Sequence, residues 1–228
     1  WAGAALLAVV AAAAVVVTTA HGAAVGVGAA SLAIVAIALG LGPQRFGALL
    51  PGDDTEEWAA VVCDVGQGSA ALIRAGPDSA VVVDTGQSGA GAPACLARYG
   101  VESVELLILS HPHADHDGAV SEILAVAPVR EAWVSRAGAH GASSAAAVLA
   151  SAGVPVRVPQ SGTVEAIGDA TVTVLSTLHE AGIATSDADL NDGSIVVAAL
   201  SRGVATLLPG DLETAGQSSA IEPLAAVG

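Results

Sequence analysis

The chain has 228 residues, 53% of them hydrophobic, and a formal charge of −15 from 22 acids against seven arginines and no lysine. That balance excludes a broad cationic surface of the kind that neutralises nucleic-acid phosphates, and a mean hydropathy of +0.68 is too apolar for an ordinary soluble domain. There is no methionine and the first residue is Trp1, as expected of a piece of a longer protein.

No charged residue precedes Arg45. Residues 1–20 and 23–42 are two apolar runs, each long enough to cross a hydrocarbon core of about 30 Å, with a break at His21-Gly22. The expectation is a transmembrane helical hairpin over 1–42, whose glycines and alanines suit close packing against other membrane helices. A pair of buried helices is the competing reading; a signal peptide would want a basic leading region, which is absent. Residues 43–57, PQRFGALLPGDDTEE, change composition abruptly and read as a linker.

From Trp58 to residue 228 the pattern is that of an α/β domain. WAAVVCDVGQGSAALIRAGPDSAVVVDTG gives three short β-rich runs, with DVGQGS as a hairpin turn at the rim of a site. GAPACLARYGV is helical, and ELLILS is a continuous apolar strand of the kind buried on both faces. GAVSEILAVAP is a helix that stops at Pro128, REAWVS a strand, and SSAAAVLASAG a helix with a serine cap and a glycine end. VPVRVP, ATVTVLS, GSIVVAAL and GVATLLPGD follow as strands, the last two joined as a hairpin at Ser201-Arg202-Gly203. This order predicts two sheets covered by outer helices. Cys63 and Cys95 lack metal-ribbon spacing and are expected as two buried thiols, with a disulfide as the alternative.

Three of the six histidines fall in LLILSHPHADHDGAV. His111, His113, Asp115 and His116 follow the spacing H-x-H-x-D-H on the turn that leaves an apolar strand. Imidazole and carboxylate suit a borderline-soft divalent ion. The spacing lets His111 and His113 grip one ion while Asp115 and His116 face a second, about 3.5–4 Å away. Asp84 and Asp211 also follow apolar runs, at the strand ends where sites of layered α/β proteins lie; Asp211 is a candidate ligand and Asp84 a supporter of a ligand histidine. In NDGS, Asn191 and Ser194 are candidates either to support metal or to cap a turn. His21, His140 and His179 are weaker candidates. No phosphate-cradling glycine loop and no G-x-S-x-G elbow is present.

HPHADHDGA is similar to the signature of the metallo-β-lactamase superfamily, and the ordered set DVGQGSA, VVVDTG, LILSHPHADHDGA, NDGSIVV and LLPGDLE, within residues 61–213, resembles the extracytoplasmic domain of the ComEC competence proteins. The superfamily resemblance implies an αββα sandwich with two divalent ions, Zn²⁺ or Mn²⁺. His111 and His113 would hold the first ion and Asp115 and His116 the second, with Asp211 bridging and Asp84 buttressing. Asp115 would also orient the attacking hydroxide. The ComEC resemblance implies a membrane-anchored domain, extracytoplasmic, that degrades the strand of DNA not imported. Its partners would be single-stranded DNA, the membrane and the other domains of the full-length competence protein.

Two departures qualify that resemblance. Many superfamily members carry a histidine where this chain has Asn191, a poorer and neutral ligand that favours a harder ion such as Mn²⁺. The family's later histidine motif has no counterpart in LETAGQSSAIEPLAAVG, so the second site is expected to be incomplete in this chain. The charge sets two alternatives beside the DNA reading. Asp53, Asp54, Glu56, Glu57 and Arg45 precede Trp58, which leaves 18 acids and six arginines in the domain. A metallohydrolase of a small substrate is one alternative, and a catalytically inactive module of a DNA-import channel is the other.

Overall fold

The computed structural model describes residues 57–139, 144–177, 186–218 and 220. The expected membrane hairpin over 1–42, most of the linker over 43–57, and His21, His140 and His179 lie outside the described residues. Among the described residues no helix is long and apolar enough to cross a membrane.

Among the described residues, ten strands make two sheets. In the first, β1 (Ala60–Val62), β2 (Ala71–Arg74), β3 (Ser79–Val83), β4 (Ser103–Leu109), β5 (Ala132–Val134) and β6 (Val156–Arg157) lie in chain order. β1, β2 and β3 pair antiparallel, and β3 to β6 pair parallel. Parallel pairing needs crossovers, and these are helices α1 (Ala92–Arg98), α3 (Val120–Val126) and α4 (Ala145–Ser151), with the single turn α2 (Ala114–Asp117) between β4 and α3. The second sheet is antiparallel, in the order β10 (Val204–Leu208), β9 (Ile195–Ser201), β8 (Ala170–Thr177), β7 (Val164–Ile167).

Alternation along the strands divides the apolar residues into two cores. Leu72, Val82, Leu107 and Leu109 face outward onto Leu96, Ile123 and Leu149 of α1, α3 and α4. Ile73, Val81, Val83, Leu106, Ile108 and Trp133 face inward onto Val172, Val174, Ile195 and Val197 of the second sheet. Each such side chain, once removed from water, contributes about 1.5–3 kcal/mol. β4 keeps both faces supplied only by means of an irregularity. Ala80 pairs with Val104 but Val81 pairs with Leu106, so Glu105 is an extra residue. Its half-buried carboxylate accepts from Ser103 and Arg130.

The helix ends obey the local chemistry. Ser144 caps α4 by accepting from the Ala147 amide, α1 has a proline in its first turn, and α3 ends at Ala127, before Pro128. Gly168, at φ +56°, sits so close to the Ala75 carbonyl that a Cβ would lie 2.0 Å from its oxygen, so only glycine fits the β7–β8 turn.

Two expectations are corrected, and two elements are new. Cys63 and Cys95 are joined in a disulfide that spans 32 residues and ties the end of β1 to α1, not left as two thiols. VPVRVP holds only the two-residue β6, because prolines at 155 and 159 bound it. Strand β7 and the short helix α5 (Asp187–Asp192) were not anticipated, since VEAI and DADLND are too short to show a period. On the outer face of the second sheet, Val164, Leu200 and Leu207 are exposed.

The disulfide closes a loop long enough to restrict the unfolded chain appreciably. The Cys63→Ser/Cys95→Ser variant should lose about 2–4 kcal/mol of stability in urea unfolding, and reducing agent should produce the same loss in the unaltered protein. A variant as stable as the parent would show the crosslink to be energetically idle.

Candidate metal centre

The parallel strands β3, β4 and β5 end at one edge of the first sheet, and the polar residues begin there: Asp84 after β3, Ser110-His111 after β4, Ser135-Arg136 after β5. The second sheet meets that edge where β9 begins and β10 ends. The Ile195 amide donates to the Ser110 carbonyl at 3.0 Å. Gly210, at φ +61°, passes so near Ser194 that a Cβ would lie 2.7 Å from it. That close approach carries Asp211 over the histidine turn.

Asp84 organises the interior of the site. It is buried and adopts φ +60°, a left-handed conformation that Asp and Asn tolerate better than other non-glycine residues. One carboxylate oxygen accepts from the Ser110 amide at 2.7 Å; the other accepts from the Ser110 hydroxyl and from His116 Nδ1, each at 2.8 Å. Because His116 Nδ1 donates to Asp84, its Nε2 points the other way, 3.3 Å from the Asp211 carboxylate. The Ser110 hydroxyl has spent its proton on Asp84, so it accepts from His111 Nδ1 at 3.0 Å. Ser194 Oγ lies 3.3 Å from the same nitrogen. His111 Nε2 is thereby left with a free lone pair, 3.1 Å from His113 Nδ1.

His111, His116 and Asp211 each offer one ligand atom, all within 4.8 Å of one another. Ligands of a tetrahedral ion bound at about 2.0–2.1 Å lie about 3.3 Å apart, close to the His111–His113 and His116–Asp211 separations. With neutral His116, two acceptors face each other across the gap to Asp211, an arrangement that a cation satisfies. The donor set therefore fits a divalent ion.

The charge state of His111 agrees with that fit, whereas His116 must give up a proton to ligate. Burial holds the His111 pKa down to about 4, helped by the neighbouring His116 and His113, so the ring is neutral and able to ligate at pH 7. Burial opposes charge on His116 too, but the hydrogen bond and charge of Asp84, with Asp211 and Asp115 nearby, raise its pKa above the ordinary histidine value. Asp84 itself is raised by burial, against the pull of His116 and Ser110. Burial, with the charge of Asp84, lifts the Asp117 pKa to about 6.

Of the residues anticipated from the sequence, His111, His116 and Asp211 form the trio, His113 adjoins it, and Asp84 and Ser194 back the two buried rings. Asp115 stands outside the trio: its carboxylate accepts from the Gln67 amide at 3.4 Å. Asn191 donates through Nδ2 to Glu213 and its Oδ1 is buried with no hydrogen-bond partner among the described residues, while neighbouring Asp192 accepts from the Glu213 and Gly216 amides and fixes the segment after Asp211. Asp187, on α5, lies 3.8 Å from His113. The glycine-rich turn does more than close a hairpin. Ser69 donates to the Asp115 carbonyl at 3.1 Å, and a Cβ on Gly68 would lie 1.8 Å from that oxygen. The G-Q-G spelling was the available signal for Gln67 and Gly68. Ser110 was missed because a serine at a strand end is unremarkable until its hydroxyl is seen relaying Asp84 to His111.

The family model described as Metallo-beta-lactamase superfamily matches residues 63–197. Similar solved structures include the Rm3 metallo-beta-lactamase, at 20% identity and TM-score 0.44, with 67% of this chain and 61% of that chain covered. A HARLDQ-motif metallo-beta-lactamase of Cronobacter sakazakii is 17% identical, with TM-score 0.44, over 67% of this chain and 62% of that one. The metallo-beta-lactamase fold protein YhfI of Bacillus subtilis is 16% identical, with TM-score 0.41, over 66% and 61%. The chain thus spans less than two thirds of the length of each. No curated protein matches it.

Two measurements probe the centre. Asp84→Asn keeps the left-handed backbone but removes the anion behind His116, and should weaken Zn²⁺ or Mn²⁺ binding about 10–100-fold by competition titration; unchanged affinity would show that Asp84 does not set the ring. Asp117→Asn addresses pH in the metal-free protein. A raised acid pKa means the folded state favours the protonated form below about pH 4, an advantage lost as pH rises through about 6. The variant should therefore unfold at higher urea than the parent at pH 8 and at similar urea at pH 4.

Proposed function

The chain belongs to the metallo-beta-lactamase superfamily, and from that premise we propose that it is a metal-dependent phosphodiesterase domain, the DNA-degrading part of a membrane-anchored protein of natural transformation. One observation carries the hydrolase reading: three ligand atoms, from His111, His116 and Asp211, converge within 4.8 Å, with the far nitrogens of both rings already bonded to Ser110 and Asp84.

What bound divalent ions supply is Lewis acidity and a water acidified to near-neutral pKa. This chain's residues do the rest. His111, His113, His116 and Asp211 would hold the ions. Asp84 and Ser110 fix which nitrogen of each ring faces them. Asp115, held at its carbonyl by Ser69 and at its carboxylate by Gln67, would accept a proton or orient the attacking water.

The finer reading rests on the ordered motifs from DVGQGSA to LLPGDLE and on the apolar 1–42 region that precedes them. The Cys63–Cys95 disulfide supports an oxidising, extracytoplasmic setting for the domain. The 18 acids against six arginines from Trp58 onward support a second reading, hydrolysis of a small molecule.

Protein stripped with EDTA and reloaded with Mn²⁺ or Zn²⁺ should cleave labelled single-stranded DNA and bis(p-nitrophenyl) phosphate. His111→Ala should lower both rates by about 100-fold or more. Cleavage of the small diester alone would favour the second reading. A reloaded protein inert toward both, or one indifferent to EDTA, would remove the phosphodiesterase assignment.

A further inference from the structure

We infer that Arg136 is the anchor for the substrate's anionic oxygen, the residue that lets this acidic domain accept a phosphodiester. The inference rests on the phosphodiesterase reading and adds to it the group that selects for substrate charge.

Position comes first. β5 runs parallel to β4 with Val134 level with Leu109, and the ladder continues with Ser135 donating to the Leu109 carbonyl at 3.3 Å. Two residues beyond Leu109 is His111, and two beyond Val134 is Arg136. The turn that carries Arg136 is held in place: Ala139 donates to the Ser135 carbonyl at 3.0 Å, and the Gly138 amide to the Ser135 hydroxyl at 3.2 Å. It also lies against the histidine turn, for a Cβ on Gly138 would meet Pro112 at 3.8 Å, between His111 and His113.

Partnership comes second. Arg74 donates to the Pro77 carbonyl and lies over Trp58. Arg98 stacks near Tyr99, Arg130 pairs with Glu105, and Arg157 is bracketed by Glu131 and Glu165 over Trp133. Arg202 occupies the β9–β10 hairpin turn, away from the edge that bears the histidines. Arg136 is exposed; its carbonyl accepts from the Ala139 amide, and among the described residues its guanidinium has no hydrogen-bond, ion-pair or ring partner.

Chemistry comes third. Asp115, Asp117, Asp187 and Asp211 all stand at the same end of the sheets as the trio, so an approaching anion meets like charge. A guanidinium fork offers two parallel donors to two oxygens of a phosphodiester. Carried on the turn beside Pro112 and no member of the ligand trio, it acts on binding more than on the chemical step.

The test uses the whole chain loaded with Mn²⁺. With bis(p-nitrophenyl) phosphate, Arg136→Ala should raise KM about 10-fold with kcat within about 2-fold, and Arg136→Lys should recover part of the loss. With the neutral ester p-nitrophenyl acetate, Arg136→Ala should change nothing. Arg130→Ala, which removes the same charge from the opposite end of β5, should leave both substrates unaffected. An unchanged KM for the diester, an equal rise for the neutral ester, or an equal rise in Arg130→Ala overturns the inference. If the unaltered protein hydrolyses neither ester, the phosphodiesterase reading falls, and binding of a fluorescein-labelled oligothymidylate decides the role of Arg136 separately. Arg136→Ala should then bind more weakly, with a salt slope smaller by about 1. Equal binding, or none by the unaltered protein, overturns it.

Discussion

A buried carboxylate with both its oxygens committed is the point on which this architecture turns. Asp84 leaves the third strand in a left-handed conformation and takes hydrogen bonds from the Ser110 amide, the Ser110 hydroxyl and the His116 ring. Burying that charge is costly unless it is fully bonded, so the two chain segments that bond it are pinned to it. One is the end of β4 and the other the turn α2. The backbone repeats the tie, since Thr85 donates to the His116 carbonyl at 2.6 Å. Whatever His111 and His116 ligate, their directions are determined by this single anion and the serine hydroxyl that relays it.

The second sheet completes the centre by a different device, close backbone approach. Ser194 opens β9 beneath His111, and Gly210 follows β10 with no room for a side chain. Asp211 is delivered by that contact, and Asp192, by accepting from the Glu213 and Gly216 amides, keeps the following turn in place. The site is thus assembled from both sheets. It is as rigid as the core of Ile108, Ile195 and their neighbours that joins them.

Much of this was legible in the residues because it rests on local pattern. The histidine turn announces itself by composition, and the strands ELLILS, ATVTVLS and GSIVVAAL by unbroken apolar runs. Asp84 and Asp211 were legible as polar residues directly after such runs. What escaped depends on distance in sequence. Nothing in a pair of cysteines 32 residues apart reveals that their backbones meet. The bond from Asn191 to Glu213 follows from the return of the chain after β10. Gln67 and Ser69 lie 48 and 46 residues before Asp115, and only the fold brings them to it.

The extra residue at Glu105 divides β4 into two segments with separate phasing. Upstream, a one-residue length change can be taken up where the ladder already slips. Downstream, between Leu106 and Leu109, the strand is held on both faces and no slack remains. A single deletion there would move every later side chain to the opposite face, drawing His111 back to the place of Ser110 and Ser110 to that of Leu109, in the core beneath the helices. Tolerance to insertion and deletion is therefore asymmetric along one short strand, and the boundary is a single glutamate.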